Sequence, residues 1–222
     1  MAVDMAQTVC VIDYGSGNLR SVAKSLERVA AEADLGGRIV VSGQTKDVLA
    51  ADHVVLPGVG AFGDCYAGLS AIDGMVEAIT EVAINKARPF LGICVGMQLM
   101  AEIGLEHGRH TGFGWFEGQV EPIKPRDPAL KVPHMGWNAL ELTGQGQGHP
   151  LFAGIKAGDH AYFVHSYHMA LASDRDLLAQ VHHGAALTAA IGRDTLVGVQ
   201  FHPEKSQKTG LKLLHNFLEW QP

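Results

Sequence analysis

The chain has 222 residues, a length that suits one compact domain with a sizeable core, and with 47% hydrophobic against 18% charged residues it carries enough apolar surface to exclude extended disorder. Its 27 glycines follow no three-residue period, which excludes collagen and points to many tight turns. Seventeen Lys and Arg against 23 Asp and Glu leave a net charge of −6, so the basic footprint of a nucleic-acid binder is missing. Charge-free stretches such as residues 89–101 contain glycines and fall short of the ~20 apolar residues that a spanning helix needs, so no membrane association is expected. Residues 1–7 show neither a basic segment nor a long apolar one, and no secretory signal is readable. Three cysteines, Cys10, Cys65 and Cys94, form no CxxC pair and no disulfide framework; a reducing, cytoplasmic setting is expected.

In chain order, short β-type runs alternate with helical ones. Strands are predicted over 9–13, 38–41, 53–56 and 89–93, and helices over 18–30, 75–87 and 95–103. That alternation predicts an α/β fold with a central, mostly parallel sheet flanked by helices. From Gly112 the pattern changes to closely spaced strand candidates at 119–123, 139–142, 162–167, 177–181, 187–191 and 196–200, which predicts an antiparallel portion in the C-terminal half. A last helix over 207–220 carries Leu211, Leu214, Phe217 and Leu218 at helical spacing. Segments 144–148 (GQGQG) and 124–131 (two prolines) are expected to be loops.

Three segments can carry chemistry. In Gly92-Ile93-Cys94-Val95-Gly96 an apolar strand runs straight into a helical pattern, and small residues flank the cysteine as a strained nucleophile elbow requires. The amides at the start of that helix favour a negative sulfur, and Val95 N–H is placed to meet a developing oxyanion. A buried structural cysteine fits the same segment. In Phe201-His202-Pro203-Glu204 the histidine and glutamate project to one side of an extended chain, so His202 can shuttle a proton while Glu204 orients it; taken alone the pattern also suits a strand end followed by a helix entry. Pro57-Gly58-Val59-Gly60 closes a buried strand with a turn able to present main-chain N–H groups to an anionic oxygen, or simply to turn.

In this order the three segments resemble the class I (triad) glutamine amidotransferases, whose domain is flavodoxin-like. Further segments are similar to the glutaminase branch that serves imidazole glycerol phosphate formation in histidine biosynthesis: Asp13-Tyr14-Gly15-Ser16-Gly17-Asn18-Leu19, Pro133-His134-Met135-Gly136-Trp137-Asn138, Tyr162-Phe163-Val164-His165-Ser166-Tyr167 and His202-Pro203-Glu204-Lys205-Ser206. The resemblance implies one domain over 8–222 behind a variable extension at 1–7. It implies Cys94, His202 and Glu204 as catalytic residues, with Val59 or Gly60 and Val95 as oxyanion donors. Gly58, Gln98, Ser166 and Tyr167 would line a site for L-glutamine. Asn18, Trp137, Tyr162 and Lys205 would face the partner and the ammonia exit. The implied partner is a cyclase subunit, a (β/α)8 barrel forming a heterodimer with this chain. Neither a cofactor nor a metal is called for. Val95 stands where the family often has leucine; its role would run through the main chain. Two glycines bracketing Val59 suggest a peptide flip that gates the oxyanion hole.

Triad glutaminases serving anthranilate, aminodeoxychorismate or pyridoxal phosphate synthesis are the nearest rivals, and a non-catalytic binding module is the rival of another class. The three catalytic residue types are all present, against the latter. Gly15-Ser16-Gly17-Asn18 lacks the third glycine of a dinucleotide fingerprint, and the histidine pairs 165/168 and 182/183 lack a nearby cysteine or acidic cluster for zinc. Met97 and Met100 read as core.

Overall fold

Central parallel strands must be apolar on both faces, and the computed structural model, which describes residues 7–222, buries every residue of His53–Gly58 and Phe90–Cys94. The first half of the chain runs β1 (Gln7–Ile12), α1 (Leu19–Glu32), β2 (Gly37–Ser42), α2 (Thr45–Ala50), β3 (His53–Gly58), α3 (Phe62–Ser70), α4 (Met75–Thr80), β4 (Phe90–Cys94) and α5 (Val95–Gln98). It continues through β5 (Ala101–Gly104), β6 (His110–Thr111), β7 (Phe116–Pro122), β8 (His134–Ala139), β9 (Glu141–Leu142) and α6 (Gly144–Gly148). The chain closes with β10 (His160–His165), β11 (Tyr167–Leu171), β12 (Leu177–His182), β13 (Ala186–Arg193), β14 (Leu196–Val199) and α7 (Gln207–Glu219). Of the expected extension at 1–7, residues 1–6 lie outside the described residues, and Gln7 is the first residue of β1, paired with Gly37.

The main sheet has the order β2-β1-β3-β4-β14-β13-β12-β9. It is parallel from β2 to β14 and antiparallel beyond, as the change of pattern after Gly112 predicts. A four-stranded sheet, β11-β7-β5-β6, and the β10-β8 ribbon complete the fold. Helix α1 buries Val22, Ala23, Leu26 and Val29 and packs on α7, whose buried stripe includes Leu213, Leu214, Phe217 and Leu218. Leu213 is fully buried in the α7 stripe along with Leu214, whereas Leu211 is only partly buried.

Four expectations need correction. The helix expected over 95–103 ends at Gln98, because Leu99 O and Met100 O accept from Phe113 N, Trp115 N and Phe116 N instead of continuing a helical ladder, and Ala101 enters β5. Met97 and Met100 are nevertheless both core. The GQGQG segment is a short helix rather than a loop: Thr143 caps it by accepting from Gly146 N at 3.1 Å, and Gly146 packs flat on Leu178 O. The strand expected over 162–167 is two strands in different sheets, divided at Ser166. Helices α2 and α3 have no counterpart in the predicted pattern; α3 is masked in sequence by Gly63 and Gly68, which leave room for His110 and Tyr14.

The tightest contact of the fold places α5. A Cβ on Gly96 would lie 1.8 Å from Leu56 O of β3, main chain against main chain with no side chain able to yield. Gly96→Ala is therefore expected to lower stability by about 3 kcal/mol or more, measured by urea denaturation; a change within about 0.5 kcal/mol, the range of ordinary surface substitutions, would contradict this packing.

Candidate active site

Cys94 is the last residue of β4, and α5 starts at the next residue, so the chain reverses without a linker. The reversal forces Cys94 to φ 54° and ψ −112°, a conformation that costs a non-glycine residue about 1–3 kcal/mol. Gly92 and Gly96 make it possible, since a Cβ on Gly92 would meet Gly96 O at 2.7 Å. Cys94 is 5% exposed. Strand β14 lies parallel beside β4, with Val199 opposite Ile93; the segment leaving β14 therefore delivers His202 next to the segment leaving β4. Ligand sites in open α/β sheets form at these carboxyl ends.

His202 is held on both sides. Its main-chain N donates to Tyr162 O at 2.9 Å, and its carbonyl accepts from Ser206 Oγ at 2.7 Å. Nδ1–H donates to Glu204 Oε1 at 2.9 Å, with both side chains essentially sealed from solvent. Glu204 Oε1 also accepts from Asn18 Nδ2 at 3.2 Å. Nε2 of His202 is buried beside the Cys94 sulfur without an aligned hydrogen bond among the described residues. Burial alone would depress this imidazole, but the Cys94 sulfur and the Glu204 carboxylate outweigh it and hold it up at about 9. These neighbours favour the protonated imidazole, with Nε2 turned to the sulfur.

A cavity of about 340 Å3 opens over Cys94, lined by Val59, Gly60, Val95, Gln98, Ser166, Tyr167, His202 and Lys205. The main-chain N–H groups of Val59, Gly60 and Val95 donate to no main-chain oxygen among the described residues, which leaves three donors at its wall. The carbonyl side of the Val59 turn is fastened: Tyr14 OH donates to Pro57 O at 3.0 Å, and Ser16 Oγ and Cys65 Sγ both donate to Val59 O. Gly58 does not line the cavity. It separates β3 from α5, where a Cβ would meet Gly96 N at 2.7 Å and Val95 Cβ at 2.9 Å, so loss of activity in Gly58→Ala would report this collision as much as a blocked peptide flip. Gln98 lines the cavity, but its Nε2 is committed to Tyr167 O and Gln200 Oε1, each at 3.0 Å, which leaves only its oxygen for a ligand.

Trp137, Tyr162 and Lys205 cluster at the surface. Trp137 is 47% exposed and meets Tyr162 edge-on at 5.9 Å, and Lys205 Nζ lies 5.8 Å from the centre of the Tyr162 ring. Asn18 directs its amide to Glu204 instead of joining them. The sequence reading passes over Gln200, whose Nε2 lies 3.6 Å from Cys94 Sγ, and over Glu106 and His165 in the cavity wall. For Gln200 a signal existed: a lone amide side chain in an otherwise apolar run, 196–201. For Glu106 none did, since its carboxylate caps Phe62 N from 44 residues away.

The family model described as glutamine amidotransferase class-I matches residues 10–220, and the chain belongs to that family. Its kinship within the family is with HisH subunits. It is 61% identical over 214 residues to the imidazole glycerol phosphate synthase subunit HisH of Rhodospirillum rubrum, covering 96% of this chain and 99% of that relative. It is 56% identical over 217 residues to the subunit of the same name from Mesorhizobium japonicum, again with 96% and 99% coverage. A crystal structure of a glutamine amidotransferase superposes with a TM-score of 0.68 at 17% identity, over 95% of this chain and 97% of that one, which confirms the fold.

Because folding raises the His202 value from 6.5 to about 9, this group's contribution to stability is fully present below pH 6.5 and is lost as pH rises through about 9. In Glu204→Gln the imidazole is expected to titrate at lower pH, followed by NMR of the ring, and the stability lost over that window to shrink. An unchanged His202 titration would show that the carboxylate does not support the imidazolium.

Proposed function

We propose that the chain is the glutaminase subunit of an imidazole glycerol phosphate synthase, hydrolysing L-glutamine and passing ammonia to a cyclase subunit in the cytoplasm. The observation that carries the chemistry is the line Cys94, His202, Glu204 at the floor of a cavity walled by the unpaired amides of Val59, Gly60 and Val95. The sulfur attacks the side-chain carboxamide carbon of glutamine, and the carbonyl electron pair moves onto oxygen. Val95 N–H, with Val59 or Gly60 N–H, stabilises that oxyanion. As the tetrahedral intermediate collapses, the C–N bond breaks and His202 Nε2–H protonates the departing nitrogen, giving ammonia and a glutamyl thioester on Cys94. His202, now neutral, takes a proton from water as water attacks the thioester; collapse releases glutamate and restores the imidazolium beside the sulfur. Glu204 keeps its negative charge and fixes which ring nitrogen faces Cys94, and Asn18 fixes Glu204. Ser166 and Tyr167, at the break between β10 and β11, line the glutamine pocket with the Gln98 oxygen.

Ammonia released to water is protonated and diluted, and the domain's sheet ends are already occupied by the glutaminase site. The acceptor therefore belongs on another chain, read here as a (β/α)8-barrel cyclase. The cluster of exposed Trp137 and Lys205 on the half-buried Tyr162, of which Lys205 lines the cavity, is the proposed ammonia exit and part of the docking face. The site needs no metal or cofactor for these steps, and because the reaction uses Cys94 and His202 together, the pH–rate profile belongs to the pair rather than to either residue.

Co-purified with the cyclase, the chain is expected to hydrolyse glutamine faster when the cyclase's nucleotide substrate is present, and Cys94→Ala to lose at least about 1,000-fold in turnover. Tyr162→Ala and Lys205→Ala are expected to lower the ratio of cyclised product to glutamine consumed. Absence of nucleotide stimulation would count against the assigned pathway, and a preserved one-to-one ratio in both variants against the placement of the exit.

A further inference from the structure

Tyr167 O, a main-chain carbonyl, can only accept hydrogen bonds, and two side chains donate to it: Gln98 Nε2 at 3.0 Å and His165 Nδ1 at 2.8 Å. That single acceptor sets the direction of every bond behind them. On one side, Gln98 Nε2 spends its second hydrogen on Gln200 Oε1 at 3.0 Å, so the Gln200 amide must turn its Nε2 to Cys94 Sγ, 3.6 Å away. On the other side, His165 with its proton on Nδ1 can only accept at Nε2, which it does from His134 Nδ1–H at 2.9 Å. His134 Nε2 then accepts from Asn138 Nδ2 at 3.1 Å. Asn138 is oriented independently, since its Nδ2 donates to His182 O and its Oδ1 accepts from Ala139 N, both at 2.9 Å.

The chain of bonds is therefore self-consistent from end to end. Its central members are buried, with Gln200, Gln98, His134 and His165 each at most 5% exposed, while Asn138 at the far end reaches the surface. Burial pulls His134 down to about 4 and His165 down to about 3, so both rings are neutral, as their acceptor nitrogens demand. At its far end, β8 carries the exposed Met135 and Trp137 beside Asn138. None of Gln200, His134 or His165 takes part in the proton transfers assigned above.

We propose that these bonds form a polar strut from β8 to the nucleophile, in which Gln200 positions the Cys94 sulfur and the His134–His165 pair holds Gln98 and Gln200 in place through Tyr167 O. Strain applied to β8 at its exposed face then reaches the sulfur. The proposal rests on Cys94 being the glutaminase nucleophile, but its test does not use glutamine.

The measurement is the rate of Cys94 alkylation by iodoacetamide across pH, read by peptide mass spectrometry in the complex with the cyclase. Gln200→Glu keeps the oxygen that Gln98 needs and replaces the donor facing sulfur with a carboxylate oxygen; it should slow alkylation at neutral pH by about tenfold, as expected for loss of a hydrogen bond to a charged group, and move the profile to higher pH. His134→Phe keeps the stack on Phe163, which lies 4.8 Å away, and removes both bonds; it should shift the profile in the same direction by less. His134→Asn, which restores a donor toward His165, should recover most of the loss. In a Gln200→Met background the His134→Phe effect should vanish, because the strut is already cut. An unchanged profile in Gln200→Glu, or additive effects of His134→Phe and Gln200→Met, would overturn the strut. Should Gln200→Glu fail to fold, the His134→Phe and His134→Asn pair, remote from the sulfur, decides. A wild-type chain that alkylates at Cys94 yet turns over no glutamine would sink the glutaminase reading and leave the strut to be judged on its own data.

Discussion

Gly96 lies so close to Leu56 O that no side chain fits between α5 and β3, and the rest of the site follows from that approach. With α5 pressed on the sheet and starting directly after β4, the residue at the junction is forced into positive φ. That residue is Cys94, raised above the sheet at the one edge of the chain reversal where the first amides of α5 and the turn after β3 converge. The strain is local, but the support is distributed over buried strands on both sides, which is the condition under which such a conformation persists. Gly58, Gly92 and Gly96 thus act by what they omit.

Two sheet neighbours then divide the chemistry. β4 delivers the sulfur and β14 the imidazole, and their parallel register keeps the two exits level. Burial at this point works against a charged imidazole, so the site must supply compensation: a carboxylate sealed against Nδ1, an asparagine behind the carboxylate, and a sulfur facing Nε2. The same burial that penalises the imidazolium keeps competing water from its partners, and strengthens each of these contacts. In the proposed reaction the oxyanion meets fixed donors, so little reorganisation accompanies its formation.

The grouping of Cys94, His202 and Glu204 was legible in the sequence because each part rests on a local rule. Glycines must flank a strained cysteine, Pro203 sets the step from His202 to Glu204, and a turn of Pro57-Gly58-Val59-Gly60 ends a buried strand. The alternation of strand and helix likewise exposed the parallel half of the sheet, whose residues are apolar for a reason visible one strand at a time. What escaped depends on partners far along the chain. The helix expected to run to residue 103 stops because Phe113, Trp115 and Phe116 claim the carbonyls of Leu99 and Met100; the apolar run there suits helix or strand equally. GQGQG looks like a loop until Leu178 supplies a flat surface for Gly146. Similarity of its segment places Asn18 at a docking face, and only three-dimensional contact reveals its bond to Glu204, 186 residues away.

What all of this requires is a covalent bond between Cys94 and the glutamyl group. Rapid acid quench of the cyclase complex during glutamine turnover, followed by peptide mass spectrometry, addresses it most directly. One glutamyl group in thioester linkage on the Cys94 peptide, discharged by hydroxylamine, is the expected result. Glutamate formed in steady turnover with the Cys94 peptide unmodified at every quench time, or an adduct on Cys10 or Cys65 in its place, would contradict it.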